Sequence, residues 1–253
     1  DMAIGLGFMF GLHLPINFFS PYKAHSIREF WRRWHISLSR FLRDYLFIPL
    51  GGSRHGLTRT VAALVITMSL GGLWHGAGWT FVVWGLLHGT YLSWNHLWRA
   101  FVSSRLPGLR DRTQRSPGLL RVLRALSIVI TFLAVSFAWV FFRSPDLDSA
   151  MQLAAAMFGF SGWHEVAHLT RGIVPMFPIY LLIVWFMPNT MELFQSTRAA
   201  LHVEEYRNDK LSPLTPRWLS FGLSARWAFT TAAVFICAWF ALSNLSPFIY
   251  FQF

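Results

Sequence analysis

The sequence predicts an all-α protein, a polytopic bundle of transmembrane helices accompanied by interfacial amphipathic helices. Three observations predict it. Hydrophobic residues make up 54% of the chain and charged residues 13%, about half of the ~25% charged residues typical of a soluble domain. The 25 Phe and 13 Trp are more aromatic surface than a globule of 253 residues can hide from water. Residues 60–98 form a run of 39 positions without Asp, Glu, Lys or Arg. The same composition excludes disorder, collagen, a coiled coil and a disulfide scaffold.

Residues 1–19 are largely apolar and begin in the middle of a segment. No n-region, apolar h-region and cleavage site follow one another there. The chain is therefore expected to be the C-terminal part of a larger protein. Next, Ser26-Ile27-Arg28-Glu29 matches a capping box. Apolar residues then recur at Ile27, Trp31, Trp34, Leu38, Phe41, Leu42 and Tyr45, with Arg28, Arg32, Arg33, Arg40 and Arg43 opposite. This predicts an amphipathic helix over 27–45 lying in the interface plane. It reads either as a plain anchor or as a basic mouth that receives an anionic donor or carrier. Pro49-Leu50-Gly51-Gly52 closes it as a turn.

As helix, the uncharged run over 60–98 would extend roughly 58 Å, against a hydrocarbon core of about 30 Å. Gly76-Ala77-Gly78 offers a break, which gives segments at 60–75 and 79–98. Further spans are expected at 125–142, 172–187 and 227–246. Cys237, the one cysteine, excludes an internal disulfide and reads as a small core filler.

The net charge of +11 lies wholly in the first half: residues 1–124 hold 15 Lys+Arg against 4 Asp+Glu, residues 125–253 hold 7 against 7. No basic tail or nucleic-acid motif accompanies it, so no nucleic-acid partner is expected and contact with membrane lipids is the better account. Lys/Arg asymmetry places the 99–124 loop in the cytoplasm, 144–170 outside and 189–225 inside.

His75 stands at the end of Leu70-Gly71-Gly72-Leu73-Trp74-His75-Gly76-Ala77-Gly78-Trp79. An imidazole at membrane depth reads as a proton acceptor for a hydroxyl, or as a hydrogen-bonded core histidine between helices. Thr80, Trp84, His88, Tyr91 and Asn95 share one helix face, which suits a polar tunnel or ordinary interhelical hydrogen bonding equally. His35 alone reads as a solvated interfacial residue. No HExxH, paired cysteines, P-loop, GxSxG or GxGxxG occurs, and no metal site is expected.

Three stretches together resemble the membrane-bound O-acyltransferase family. They are Asn17-Phe18-Phe19-Ser20-Pro21-Tyr22-Lys23 with Phe30-Trp31-Arg32-Arg33-Trp34-His35; Arg43-Asp44-Tyr45-Leu46-Phe47-Ile48-Pro49-Leu50-Gly51-Gly52; and Gly72-Leu73-Trp74-His75-Gly76 with Trp84-Gly85-Leu86-Leu87-His88-Gly89. Weaker similarity runs through Trp139-Val140-Phe141-Phe142-Arg143, Pro188-Asn189-Thr190 and Tyr250-Phe251-Gln252-Phe253. Pro49-Leu50-Gly51-Gly52 favours the branch that acetylates exported polysaccharides such as alginate over the D-alanyl branch.

The resemblance implies helices around a central tunnel, with the N-terminal helices of the family missing here. Gly7-Phe8-Met9-Phe10-Gly11-Leu12-His13 departs from the Arg-bearing version usual at that stretch. It implies acyl transfer, from an acyl-CoA or acyl-carrier thioester and with no bound cofactor, toward hydroxyls of an exported polysaccharide. It places the catalytic histidine on His75 and the family's second histidine on His35. Oxyanion donors are expected among Trp34, Trp74 and Asn95. A multi-pass protein of the bacterial inner membrane is implied, with a periplasmic acetyltransferase as partner. The alternatives are a non-catalytic relay or docking component, D-alanyl transfer to a cell-wall polymer, and a transporter.

Overall fold

The computed structural model describes residues 1–105, 116–160, 176–194, 200–201 and 221–241. The expected all-α class holds: among the described residues the only strands are a two-residue parallel pair, Leu14–Pro15 with Ala200–Leu201. Expectations for 106–115, 161–175, 195–199, 202–220 and 242–253 lie outside the described residues. These include most of the basic and acidic loop charges, the start of the segment at 172–187, the end of that at 227–246 and the terminal Tyr250–Phe253.

Two compact units are present. One comprises residues 1–16 and 188–253. It contains α1 (Met2–Met9), α9 (Thr190–Leu193) and α10 (Ala225–Ala241). Asn189 and Glu192 form a reciprocal capping box at α9, and Thr190 Oγ1 donates to Asp1 Oδ2 at 2.7 Å. Cys237 is exposed on α10 rather than buried in a core, and Phe235, Ile236, Trp239 and Phe240 beside it are exposed as well. A lipid-facing surface selects apolar side chains just as a protein core does, so an apolar run alone does not separate the two.

The other unit spans residues 17–187. Among its described residues the helices are α2 (Ile27–Arg33), α3 (Ile36–Leu42), α4 (Leu57–His75), α5 (Trp79–Arg105), α6 (Pro117–Arg143), α7 (Leu147–Met157) and α8 (Phe177–Phe186). The 19 residues of α4 and the 27 of α6 are long and apolar enough to cross a membrane. At 1.5 Å per residue they extend about 28 Å and 40 Å. With 27 residues, α5 is long enough too, but its His, Thr, Ser and Asn lower its hydropathy.

Glycine sets how closely α4 and α5 pack. A Cβ on Gly72 would lie 2.2 Å from the Phe81 carbonyl oxygen, one on Gly85 2.4 Å from that of Met68, and one on Gly89 2.8 Å from Val65 Cα. The two backbones therefore meet where only hydrogen fits, the usual device for helix pairs in lipid. Gly76 adopts an extended backbone, φ 160° and ψ 152°, that no helix continues. The chain turns there into α5.

The expected single helix over 27–45 is instead a corner between α2 and α3, followed by one π-helical turn at Arg43–Phe47. Trp34 is extended (φ −103°, ψ 126°) and His35 is left-handed (φ 41°). The cause is tertiary. Asn17 Oδ1 accepts from Ser37 N and Oγ, Asn17 O from Ile36 N, and Arg33 O from Phe19 N. These bonds from the preceding strand-like stretch replace the helical ladder.

The arginine stripe is also not wholly solvated. Arg33 is 2% exposed, paired with Glu29 at 2.8 Å, and donates to Phe19 O. Its partner sits four residues earlier on the same helix, so the pair is buried together. The Ser26 Oγ accepts from Glu29 N as a capping box requires. The Glu29 carboxylate, however, reaches His25 N and Arg33 instead of the Ser26 amide.

Candidate active site

His75 is the last residue of α4, and four rings surround it. Trp74 lies at 4.9 Å, Phe142 at 5.0 Å and Trp84 at 5.4 Å, all edge-on, with Phe81 stacked at 6.5 Å. Trp84 and Phe81 come from α5 and Phe142 from α6, so three helices build the box. The imidazole is half-buried, and neither ring nitrogen has a hydrogen-bond partner among the described residues. It is thus neither sealed in the core nor loose in solvent. Both nitrogens remain available to a ligand.

His35 approaches from the α2–α3 corner. It lies within electrostatic range of His75. It is half-buried, not solvated as its sequence position alone suggested, and its Nδ1 is buried with no partner among the described residues. Burial pushes its pKa below the ordinary value, which favours the neutral ring. Trp34 beside it stacks on Phe30 at 5.6 Å and packs on Trp139 at 4.9 Å. Trp139 in turn stacks on Trp84 at 5.9 Å. A continuous aromatic wall therefore links His35 to His75.

His88 packs behind this wall, 4.9 Å from Trp84. It is 0% exposed, and its Nδ1 accepts from the Trp31 indole at 3.2 Å. Of the two sequence readings of the α5 face, interhelical hydrogen bonding is the one this geometry carries at His88. Asn95 is 16 residues along α5 from Trp79, roughly 24 Å at 1.5 Å per residue. It lines a different cavity, together with Arg28 and Arg99, so it does not join His75. Trp74 touches His75 but is 66% exposed.

Sequence reasoning missed the α6 contribution. Trp139 and Phe142 form half of the wall, and their signal was the weak Trp139-Val140-Phe141-Phe142-Arg143 similarity alone. Trp84 was placed on the right face, but not against His75. Its indole N–H is buried and has no acceptor among the described residues. No group of three or more His, Cys, Asp or Glu that could hold a metal occurs among the described residues.

Comparison with known proteins agrees with the sequence resemblance. The family model described as MBOAT, membrane-bound O-acyltransferase family, matches residues 1–139. The "Probable alginate O-acetylase AlgI" of Pseudomonas putida is 39% identical over the whole of this chain, which spans 49% of that protein. The "Peptidoglycan O-acetyltransferase" of Helicobacter pylori is 45% identical over 68% of this chain and 30% of its own length. A "Teichoic acid D-alanyltransferase" of Bacillus subtilis is 27% identical over 55% of this chain and 35% of its own length. The chain thus spans half or less of each of these relatives. The family match covers α1 to α5 and most of α6, which include every residue of the His75 box except Phe142, and the chain belongs to the membrane-bound O-acyltransferase family.

Proposed function

We propose that this chain carries the reacting centre of an O-acyltransferase of the bacterial inner membrane. It would move an acyl group, acetyl in the first instance, from a cytoplasmic thioester toward hydroxyls of an exported polysaccharide. The observation that carries the reading is His75: a half-buried imidazole with both nitrogens unengaged, walled by aromatic rings and within electrostatic reach of His35. The relatives named as acetylases of alginate and of peptidoglycan supply the acceptor class. A multi-pass placement, membrane lipids around the helices and an extracytoplasmic acetyltransferase as partner belong to the same proposal. The donor is acyl-CoA or an acyl-carrier thioester.

In the reaction His75 takes the proton from the acceptor hydroxyl as its oxygen attacks the thioester carbonyl. The C–O bond forms and the negative charge moves onto the carbonyl oxygen. When the tetrahedral intermediate collapses the C–S bond breaks, and the imidazolium returns its proton to the departing thiolate. The intermediate's oxyanion needs a preorganised donor. The orphaned Trp84 N–H, beside His75 and already desolvated, suits that role better than exposed Trp74 or distant Asn95. Aromatic walls hold water away from the thioester. His35 tunes or orients His75.

The test is His75→Ala in the full-length membrane protein. General-base action is worth about 10²–10⁴ in rate. Polymer acetylation should fall by at least the lower figure while the protein stays in the membrane at normal abundance. Near-normal acetylation by such a variant would overturn the assignment. Donor turnover by purified protein with a soluble acceptor separates an enzyme from a passive relay.

A further inference from the structure

A cavity of about 870 Å³ opens at the far end of the α4–α5 hairpin. Counting 20 residues along α5 from Trp79 to Arg99, it lies roughly 30 Å from the His75 end. Arg28 of α2 and Arg99 of α5 both line it, joined by Asn95, His96, Ser103 and Ser53. None of the described residues lining it is acidic. The nearest carboxylate in sequence, Glu29, is taken by His25 and Arg33. Two guanidiniums, ionised at every physiological pH, therefore face one space with no counter-charge in its wall. Burial, then the like charges of Arg99 and Arg32, push the Arg28 pKa below its ordinary value. Both side chains are exposed, so an anion can reach them from solvent and meets no competing carboxylate among the described lining residues.

We infer that this cavity is a phosphate-binding site, built by Arg28 and Arg99 and shaped for the headgroup of an anionic phospholipid. Planar guanidiniums match phosphate oxygens two at a time, and the Asn95 amide lines the same space. Apart from Thr60, the remaining wall is apolar and includes Phe47, Leu64 and Leu92. Trp98 lines the cavity and is 51% exposed, and Trp94 and Phe101 near it on α5 are 69% and 50% exposed. Exposed Trp beside Arg at a helix end is the composition of the membrane–water boundary. The volume exceeds what a lone phosphate fills and leaves room for a glycerol backbone. A phosphate carried by the thioester donor has the same recognition chemistry, so the test must separate the two sources. The inference does not depend on what His75 does.

The full-length protein is purified in mild detergent and freed of lipid. Phosphatidylglycerol and coenzyme A are then titrated separately, with bound species counted by native mass spectrometry. The Arg28→Gln/Arg99→Gln double variant should bind phosphatidylglycerol at least tenfold more weakly, about 1.4 kcal/mol, while coenzyme A binding is unchanged. Arg121→Gln, which removes an exposed arginine that does not line the cavity, should bind like the parent. Arg28→Lys/Arg99→Lys keeps the charge without the fork and should recover part of the loss. Weakened coenzyme A binding with unchanged lipid binding would keep the phosphate site and assign it to the donor. Equal binding of both probes by parent and double variant would overturn the inference, and the monodisperse elution of Arg28→Lys/Arg99→Lys guards against a folding artefact.

Discussion

The indole N–H of Trp31 on α2 donates to Nδ1 of His88 on α5 across 3.2 Å. That bond fixes the neutral His88 ring with its proton on Nε2. Both residues lie in the core, where Trp84 and Trp139 also meet the His88 ring. The bond ties α2, which leads into the corner carrying His35, to α5 of the hairpin.

Replacing Trp31 by Phe keeps most of the packing and leaves a buried nitrogen of His88 without a partner. An unsatisfied buried acceptor costs about 1–3 kcal/mol. Trp31→Phe is expected to lower thermal stability in detergent by that order. It should also reduce acetylation more than membrane abundance, because the corner loosens. An unchanged melting temperature would show that the bond contributes nothing net.

Gly72 and Gly85 provide a sharper test of the hairpin. An alanine methyl at either position would meet a backbone carbonyl at 2.2 or 2.4 Å, and a backbone cannot swing aside. Gly72→Ala and Gly85→Ala are each expected to cost at least the ~1–3 kcal/mol of ordinary overpacking and to sharply reduce monodisperse protein on size exclusion. Gly118→Ala, which has open space around the added carbon, should elute like the parent.

The hairpin break was legible in the sequence because Gly76-Ala77-Gly78 is a local signal, and the α5 face was legible because helical spacing is local too. The corner at Trp34–His35 was not. Its cause is hydrogen bonding to Asn17 and Phe19, partners that no periodicity in 27–45 contains. Arg33 misled for a related reason: an arginine on a polar stripe looks solvated until Glu29 and the Phe19 carbonyl are seen to cover it. Motif resemblance gave roles to His75 and His35 but none to the α6 rings Trp139 and Phe142, since an aromatic pair on an apolar helix reads as core or lipid-facing surface alike.

Stability should fall in two stages as pH is lowered. Burial depresses His35, so below its ordinary value of 6.5 the unfolded chain takes up a proton before the folded one does. The stability due to neutral His35 is thus present above pH 6.5 and lost as pH falls through the folded pKa. For Glu29, burial would raise the carboxyl, but hydrogen bonds from His25 and the Arg33 charge outweigh it and hold the pKa below 4.5. Its contribution is present above that value and lost as pH falls further. Melting curves from pH 8 to 3 should show both declines. His35→Asn should shrink the first and leave the second, and a first decline of the same size in His35→Asn as in the parent would refute the His35 assignment.

His35 also allows chemistry and architecture to be separated. Its φ of 41° is left-handed, a region that Asn tolerates and β-branched residues do not. His35→Val should strain the corner by about 1–3 kcal/mol and lose stability and activity together. His35→Asn keeps the backbone and the corner bonds from Asn17, but removes the imidazole within electrostatic range of His75. Its melting temperature should stay within a few degrees of the parent while polymer acetylation falls about tenfold, roughly 1.4 kcal/mol of lost transition-state stabilisation, as suits a residue that tunes His75. If His35→Asn acetylates normally and only His35→Val fails, His35 is the hinge of the corner and His75 works without it.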